Sequence, residues 1–419
     1  MKLLRFSHKG FLNENNIAIF YLIIVGELIF ALPFHISRFF RPSLIEDFNY
    51  SNMTLGIAFS VYGITALVSY IPGGYIADKL RPKYLLSLSL FLTSLGGLVF
   101  LFNPKGNWLY FIYGYWGVTT ILFFWGALIK ATRNISGNNQ GLYFGALEAG
   151  RGLVASLSAS LAVLIYTNKI IPLLVSEVLG KQVTSLSIVI FFYSLITFLS
   201  GLMILFFFND KTGTSLNIQK KFIKTIFDNF RSIVCIALVV LAAYSGYKGI
   251  DYYSLYFYHI LEYTKEDSAI LITNLSYLRP ISAILAGIIA DKISSRKCTY
   301  LLFLSLMFSY LGLTIISNSD QIISLLFFNF MVSLVAIFSL RGIFYSLLKE
   351  TKIPVSITGI SVGIISLIGY FPDVFIGPVF GILLANNSIS DFQNCFIFLL
   401  VLSFLGYILS LFLPKKILN

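Results

Sequence analysis

Gly74-Tyr-Ile-Ala-Asp78-Lys79-Leu-Arg81-Pro-Lys83 and Gly287-Ile-Ile-Ala-Asp291-Lys292-Ile-Ser-Ser-Arg296-Lys297 are two copies of one pattern. Each opens on a glycine, reaches an aspartate and lysine four and five residues later, and ends in basic residues. Asp78 and Asp291 lie 213 positions apart, about half of a 419-residue chain. Shared wording at a fixed offset marks an internal repeat. Each copy closes one long apolar run and precedes another, so each reads as a short polar loop between two membrane-crossing helices.

The composition leads to the same place. Hydrophobic residues make up 57% of the chain and charged residues 11%, against about 25% charged in soluble globular chains. This argues against a soluble enzyme, a disordered protein and a nucleic-acid-binding module. About 20 apolar residues cross one hydrocarbon core. Runs of that length predict twelve spans, near 16–36, 53–77, 84–103, 108–129, 142–166, 186–208, 233–258, 266–290, 298–316, 321–345, 355–384 and 392–413. Backbone amides in lipid must be satisfied within the segment, which makes these runs helices. The period-2 alternation of a membrane barrel is absent.

Charge orients the bundle. Of the 30 Lys and Arg, 20 fall in loops on the N-terminal side and six on the other. That bias predicts both termini in the cytoplasm, and it accounts for the net charge of +12 without a nucleic-acid partner. The expected fold is an all-α integral membrane protein whose twelve transmembrane helices form two pseudo-symmetric six-helix bundles. These are residues 1–208 and 232–419, joined by a cytoplasmic linker at 209–231. In the linker Ile218, Phe222, Ile223, Ile226, Phe227 and Phe230 recur at helical spacing among Lys220, Lys221 and Lys224. This predicts an amphipathic helix on an anionic leaflet, or a docking surface for a partner.

With the duplicated loop and the span count in hand, the chain resembles the major facilitator superfamily, secondary transporters built from two six-helix halves. The loop copies are similar to that superfamily's G-x-x-x-D-[RK]-x-G-[RK]-[RK] signature. The resemblance implies a latch made by Gly74, Asp78, Lys79 and Arg81 and by Gly287, Asp291, Lys292 and Arg296. The glycines allow close helix approach, and Asp78 can meet the positive end of a neighbouring helix. Such a latch favours the outward-facing state and breaks on opening inward.

Ionisable groups at membrane depth are costly and mark function. Eight fall inside the predicted spans: Glu27, Glu148, Asp251, Asp373, Arg151, Lys248, Arg279 and Arg341. Four of each sign suggest mutual pairing in a polar interior. Transporter sites lie near the midplane between repeats, and helical rise places Glu27, Arg151 and Arg279 there. Lys248 and Asp251 lie in the outer half of the seventh run, Glu148 is shallower, and Arg341 sits near the cytoplasmic end as a gate residue. Glu27 has no basic partner within a helical turn, which makes it the leading proton carrier, with Glu148 behind it. Arg38 and Arg41, at the outer end of the first run, are expected to snorkel outward. Tyr244, Tyr247, Tyr252 and Tyr253 surround Lys248 and could line a solute path.

A closer likeness is to the organophosphate:phosphate antiporter branch, which has a basic residue late in the first span and its counterpart in the seventh. Aligning on Asp78 places His35 at the first position, and the 213 offset carries it onto Lys248. Tyr247-Lys248-Gly249-Ile250-Asp251-Tyr252 resembles that branch's R-Y-G-I-L-D-W, and the branch's fifth-span histidine falls on Arg151. The likeness implies a substrate site of His35, Arg151, Lys248, Arg279, Tyr244 and Asp251. Both hallmark arginines are replaced, and Lys lacks the bidentate fork, so an organophosphate:phosphate exchanger is not expected; the expected cargo is an anionic or zwitterionic organic solute, with sugar phosphates, carboxylates, amino acids and siderophore-like anions all fitting.

The functional expectation is a secondary active transporter working by proton-coupled symport. The alternative is a transporter-like sensor that binds solute and signals through the linker. No enzyme is expected. The three cysteines (Cys235, Cys298, Cys395) are far apart, the three histidines (His8, His35, His259) form no metal-ligand cluster, and no phosphate-cradling loop or nucleophile elbow is present. No metal and no cofactor are called for. The partners expected are a small-molecule substrate, protons and the lipid bilayer, around a monomer in a bacterial inner membrane.

Overall fold

A computed structural model describes residues 14–136, 140–180, 182–209, 221–315, 323–351 and 358–413. Among these every regular element is helical. The first span is a bent pair, Glu14–Leu28 and Ala31–Phe39, with 42° between its arms. Eleven more follow: Asn52–Ala77, Pro82–Phe100, Asn107–Ser136, Tyr143–Thr167, Ser185–Phe207, Phe227–His259, Lys265–Ile293, Ser295–Ile315, Ile323–Ile343, Ser361–Leu383 and Ile389–Phe412. The twelve-span reading therefore holds. The described residues start at Glu14 and end at Leu413 on one side of the bundle, the terminal face. The opposite side is the loop face.

Two departures from the apolar runs have physical causes. The seventh helix begins at Lys221 and runs unbroken to Gly249, so residues 221–231 continue the span instead of forming a separate helix. The earlier linker residues, 210–220, lie outside the described residues. A further short helix, Ile170–Leu179, lies on the loop face between spans five and six. Its apolar residues Ile170, Leu173, Leu174 and Val178 are exposed, and at 10 residues it is too short to read as a span.

The halves meet along the first, second and fifth spans of one and the seventh, eighth and eleventh of the other. The 213 offset exchanges the second with the eighth span and the fifth with the eleventh, so the second–eleventh and fifth–eighth contacts are equivalent. The second–eleventh contact is tightest toward the loop face. A Cβ on Gly56 would sit against the Gly377 carbonyl oxygen, and one on Gly63 would press the Asp373 backbone. Asn52 Nδ2 donates to the Leu384 carbonyl at 3.2 Å and to Asn387 Oδ1 at 2.7 Å. Lys265 Nζ reaches Asp47 at 2.6 Å and Glu46 at 2.8 Å, the Tyr258 hydroxyl bonds Glu46, and Lys169 pairs with Glu266. These ties between the halves all lie toward the loop face, and the second–eleventh and fifth–eighth helix pairs carry most of the contact between them. The bundle is sealed at the loop face and parted at the terminal face.

A charged cavity between the halves

Breaks in five helices shape the centre. Pro33 cannot donate to the ladder and clashes with the turn before it. The first span absorbs this in a π turn at Ala31–His35. In a straight helix Glu27 and His35 would be separated by about 12 Å of rise. The bend brings His35 Nε2 to 3.3 Å from Glu27 Oε1. The fourth span carries a π turn at Thr119–Trp125, and the seventh a tighter 3-10 turn at Ile250–Tyr252. The eighth breaks at Tyr277 just before Arg279 and Pro280. The eleventh restarts at Pro372 beside Asp373. Irregular turns inside helices often mark functional sites.

Two ion networks occupy this level. Glu27 accepts from Arg279 Nη1 at 2.8 Å across the halves, and Arg151 Nε lies 3.1 Å from its other oxygen. Arg151 Nη1 also donates to Glu148 at 2.6 Å. The Arg151 stem crosses the first span at Gly26, and the Arg279 stem packs on Gly152. These are two places where a larger residue would push the guanidinium away. In the second network Arg38 Nε donates to Asp251 at 2.6 Å and Nη1 donates to the Tyr247 hydroxyl at 2.7 Å. Lys248 Nζ lies 3.1 Å from Asp251 and 3.3 Å from Asp373. The Tyr244 hydroxyl donates to Asp373 at 3.2 Å. Arg38 and Asp251 are themselves 213 positions apart, so equivalent positions of the two halves pair with each other on the pseudo-twofold axis.

A central cavity lies against both networks. Glu27, His35, Arg38, Arg151, Tyr244, Tyr247, Lys248, Arg341 and Asp373 line it, with Phe30, Phe34 and Trp125 among its aromatic walls. Glu27, Arg151, Lys248 and Arg279 are at most 7% exposed. All four point between helices rather than to lipid, as desolvation cost demands. Arg279 faces a smaller neighbouring cavity shared with Arg38. Asp251 is buried behind Arg38 and Lys248 and does not line the central cavity, and neither does Glu148.

Three readings from sequence need correction. Arg38 does not snorkel outward; it is buried in the second network. Arg41 does not either. It is fully buried, its guanidinium lies 3.8 Å from the Tyr252 ring centre, and neither Nη atom has a polar partner. Arg341 is deeper than the end of its apolar run suggests, because the helical path continues through Phe344–Ser346 and Leu347–Glu350. Its guanidinium stacks 3.8 Å from the centre of the Tyr247 ring in the cavity wall. Of the four tyrosines singled out, Tyr244 and Tyr247 line the cavity. Tyr252 packs under Arg41, and the Tyr253 hydroxyl bonds Ser333.

The duplicated loops lie on the terminal face. A Cβ on Gly74 or Gly287 would meet nothing within 4 Å, so neither glycine is in close helix contact in this state. Lys79 lies over the Tyr75 ring. Lys130 Nζ donates to the Ala77 carbonyl at 2.6 Å, at the end of the second span. In the second copy Glu350 accepts from the backbone N–H groups of Ser295 and Arg296, at the start of the ninth helix. Arg296 Nε donates to the Ser410 carbonyl at 3.2 Å. Each loop is thus tied within its own half.

Residues 23–375 match the model of the Major Facilitator Superfamily. The chain belongs to that superfamily. The inner membrane protein YihN of Escherichia coli is 28% identical over 410 residues, covering 94% of each chain. YqcE, another inner membrane protein of that organism, is 26% identical over 355 residues, covering 82% of this chain and 81% of its own. A bacterial homologue of the human lysosomal transporter Spinster, solved inward-facing and occupied, superposes with a TM-score of 0.73 at 14% identity, over 97% and 98% of the two chains. The protein is therefore an integral membrane protein with the major facilitator fold, of the transporter kind, for which a small-molecule substrate and a surrounding bilayer follow.

Proposed function

We propose that the protein is a proton-coupled secondary transporter of a small organic anion or zwitterion, a monomer in a bacterial inner membrane, and not an enzyme. The terminal face is read as cytoplasmic from the loop charges, so the parted side opens inward. One observation carries the reading: Glu27 of one half holds Arg279 of the other beneath a charged cavity that one face seals and the other opens. A carboxylate shared by cations from both halves feels any change in their separation. Opening outward requires the loop-face contacts of Lys265 and Asn52 to part and the two loop copies to close their latch. As Arg279 moves away, Glu27 is left to take a proton. A solute anion that engages Arg151 weakens the same network, which links the two cargoes. The substrate site comprises His35, Arg151, Lys248, Arg279 and Tyr244, with Asp251 holding Lys248 in place.

The test is purified protein in liposomes with a trapped pH-sensitive dye and a panel of organic acids, amino acids and sugars. Solute uptake accompanied by a change in lumenal pH is the expected result. Binding seen as a melting-point shift, with no flux of solute or protons, would make the protein a solute sensor instead.

A further inference from the structure

We propose that Arg341 is the anion receptor of the central cavity and that the cargo is an organic anion of single net charge with a ring-shaped body. The inference deepens the transport reading and rests on it.

The argument is a count of charges followed by a look at the walls. Five cations stand at or beside the cavity: Arg38, Arg151, Lys248, Arg279 and Arg341. Four of them pair with carboxylates: Arg151 and Arg279 with Glu27, Arg38 with Asp251, and Lys248 with Asp251 and Asp373. Glu148 is taken by Arg151. Arg341 has no carboxylate partner among the described residues, and its contacts are the Tyr247 and Tyr244 rings. With His35 as the neutral imidazole, five positive and four negative groups leave one unit of positive charge, borne by the residue with no carboxylate. A neutral cargo leaves that charge unmatched once the cavity closes around it. A dianion overcompensates unless it breaks an existing pair, and breaking a buried pair is expensive.

Arginine also fixes geometry. Its planar fork suits a carboxylate or a similar oxyanion, and its face stays on an aromatic ring while the edge binds. The Tyr247 ring holds the Arg341 plane in that posture. The walls select the rest of the cargo. Phe30, Phe34 and Trp125 line one side, with the Phe30 and Trp125 ring centres 6.3 Å apart. Tyr244, Tyr247 and Tyr370 line the other, with Tyr244 and Tyr370 centres 4.8 Å apart. Flat or ring-shaped bodies bury area efficiently between such surfaces.

The experiment is thermal stabilisation of the purified full-length protein by two charge-graded series, glucose, glucuronate and glucose 6-phosphate, then benzamide, benzoate and phthalate. In at least one series the singly charged member is expected to give the largest shift. Its apparent affinity is expected to fall about tenfold or more in Arg341→Gln, the loss of one charge-assisted contact. Should Arg341→Gln fail to fold, Arg341→Lys keeps the charge without the fork, and its affinity is expected to fall severalfold. A larger shift from a neutral or dianionic member in both series, no shift from any member, or unchanged affinity in these variants would overturn the proposal. Counterflow in liposomes separates the two claims. A monoanion that binds through Arg341 but is not moved defeats the transport reading alone. A neutral or dianionic solute that is moved defeats this inference alone.

Discussion

Asp251→Asn keeps the shape of the side chain and removes its charge, leaving Arg38 buried without a counter-charge. The Arg38 and Asp251 side chains are 8% and 2% exposed and 2.6 Å apart. Unit charges about 4 Å apart attract by about 4 kcal/mol at an effective dielectric of about 20. Removing one partner of a buried pair costs about 3–5 kcal/mol, because the remaining ion stays desolvated. Lys248 still has Asp373 at 3.3 Å, so the loss falls on Arg38. Arg38→Gln is expected to cost less, because Asp251 retains Lys248 at 3.1 Å. The double variant orphans neither group. A double-mutant cycle read by unfolding in detergent is therefore expected to give a coupling of about 2–3 kcal/mol. A cost below about 1 kcal/mol for Asp251→Asn, or additivity within about 0.5 kcal/mol, would refute the pairing.

Three further outcomes follow from the seal and the buried cations. Burial pushes the Glu46 carboxyl up, but hydrogen bonds from Lys265 and Tyr258 outweigh it and hold Glu46 below its ordinary value. A depressed carboxylate contributes above its unfolded value and loses the contribution as pH falls through the folded one. Acidification below about pH 4 and Lys265→Ala are thus both expected to speed loop-side maleimide labelling of a cysteine placed at Ser60, a residue of the second span whose hydroxyl donates to the Val374 carbonyl across the halves. Gly56→Ala sets a methyl group against the Gly377 carbonyl oxygen and is expected to speed the same labelling, while an unchanged rate would mean the contact does not hold the seal. Arg41→Met replaces a buried cation whose Nη atoms lack partners, and unfolding in detergent is expected to show stabilisation of about 1–4 kcal/mol.

The spans were legible because lipid leaves the backbone no alternative to helix, and the duplicated loop carried the two-half architecture. Glu27, Arg151, Lys248 and Arg279 were legible because a charge inside an apolar run has to be paired. Arg38 and Arg41 were missed because arginines at the end of a run ordinarily reach toward water. The signal that could have found Arg38 was present, since adding 213 to its position gives Asp251, a residue of opposite charge. Nothing equivalent marks Arg41, whose burial comes from tertiary packing against Tyr252. The depth of Arg341 was hidden because hydropathy follows the lipid boundary, while the helical path runs on to Glu350. Which carboxylate meets which cation depends on the bends at Pro33 and Tyr277, which composition does not encode.

Glu27 is the joint of the account, and accumulation against a gradient tests it directly. Wild-type protein and Glu27→Gln are reconstituted into liposomes and given the best-binding solute under an imposed proton gradient. The amide still accepts a hydrogen bond from Arg279 but cannot carry a proton. The wild type is expected to concentrate the solute above equilibrium. The variant is expected to bind and exchange it while stopping at equal concentrations on both sides. Accumulation by Glu27→Gln to the wild-type level would contradict proton coupling at this residue.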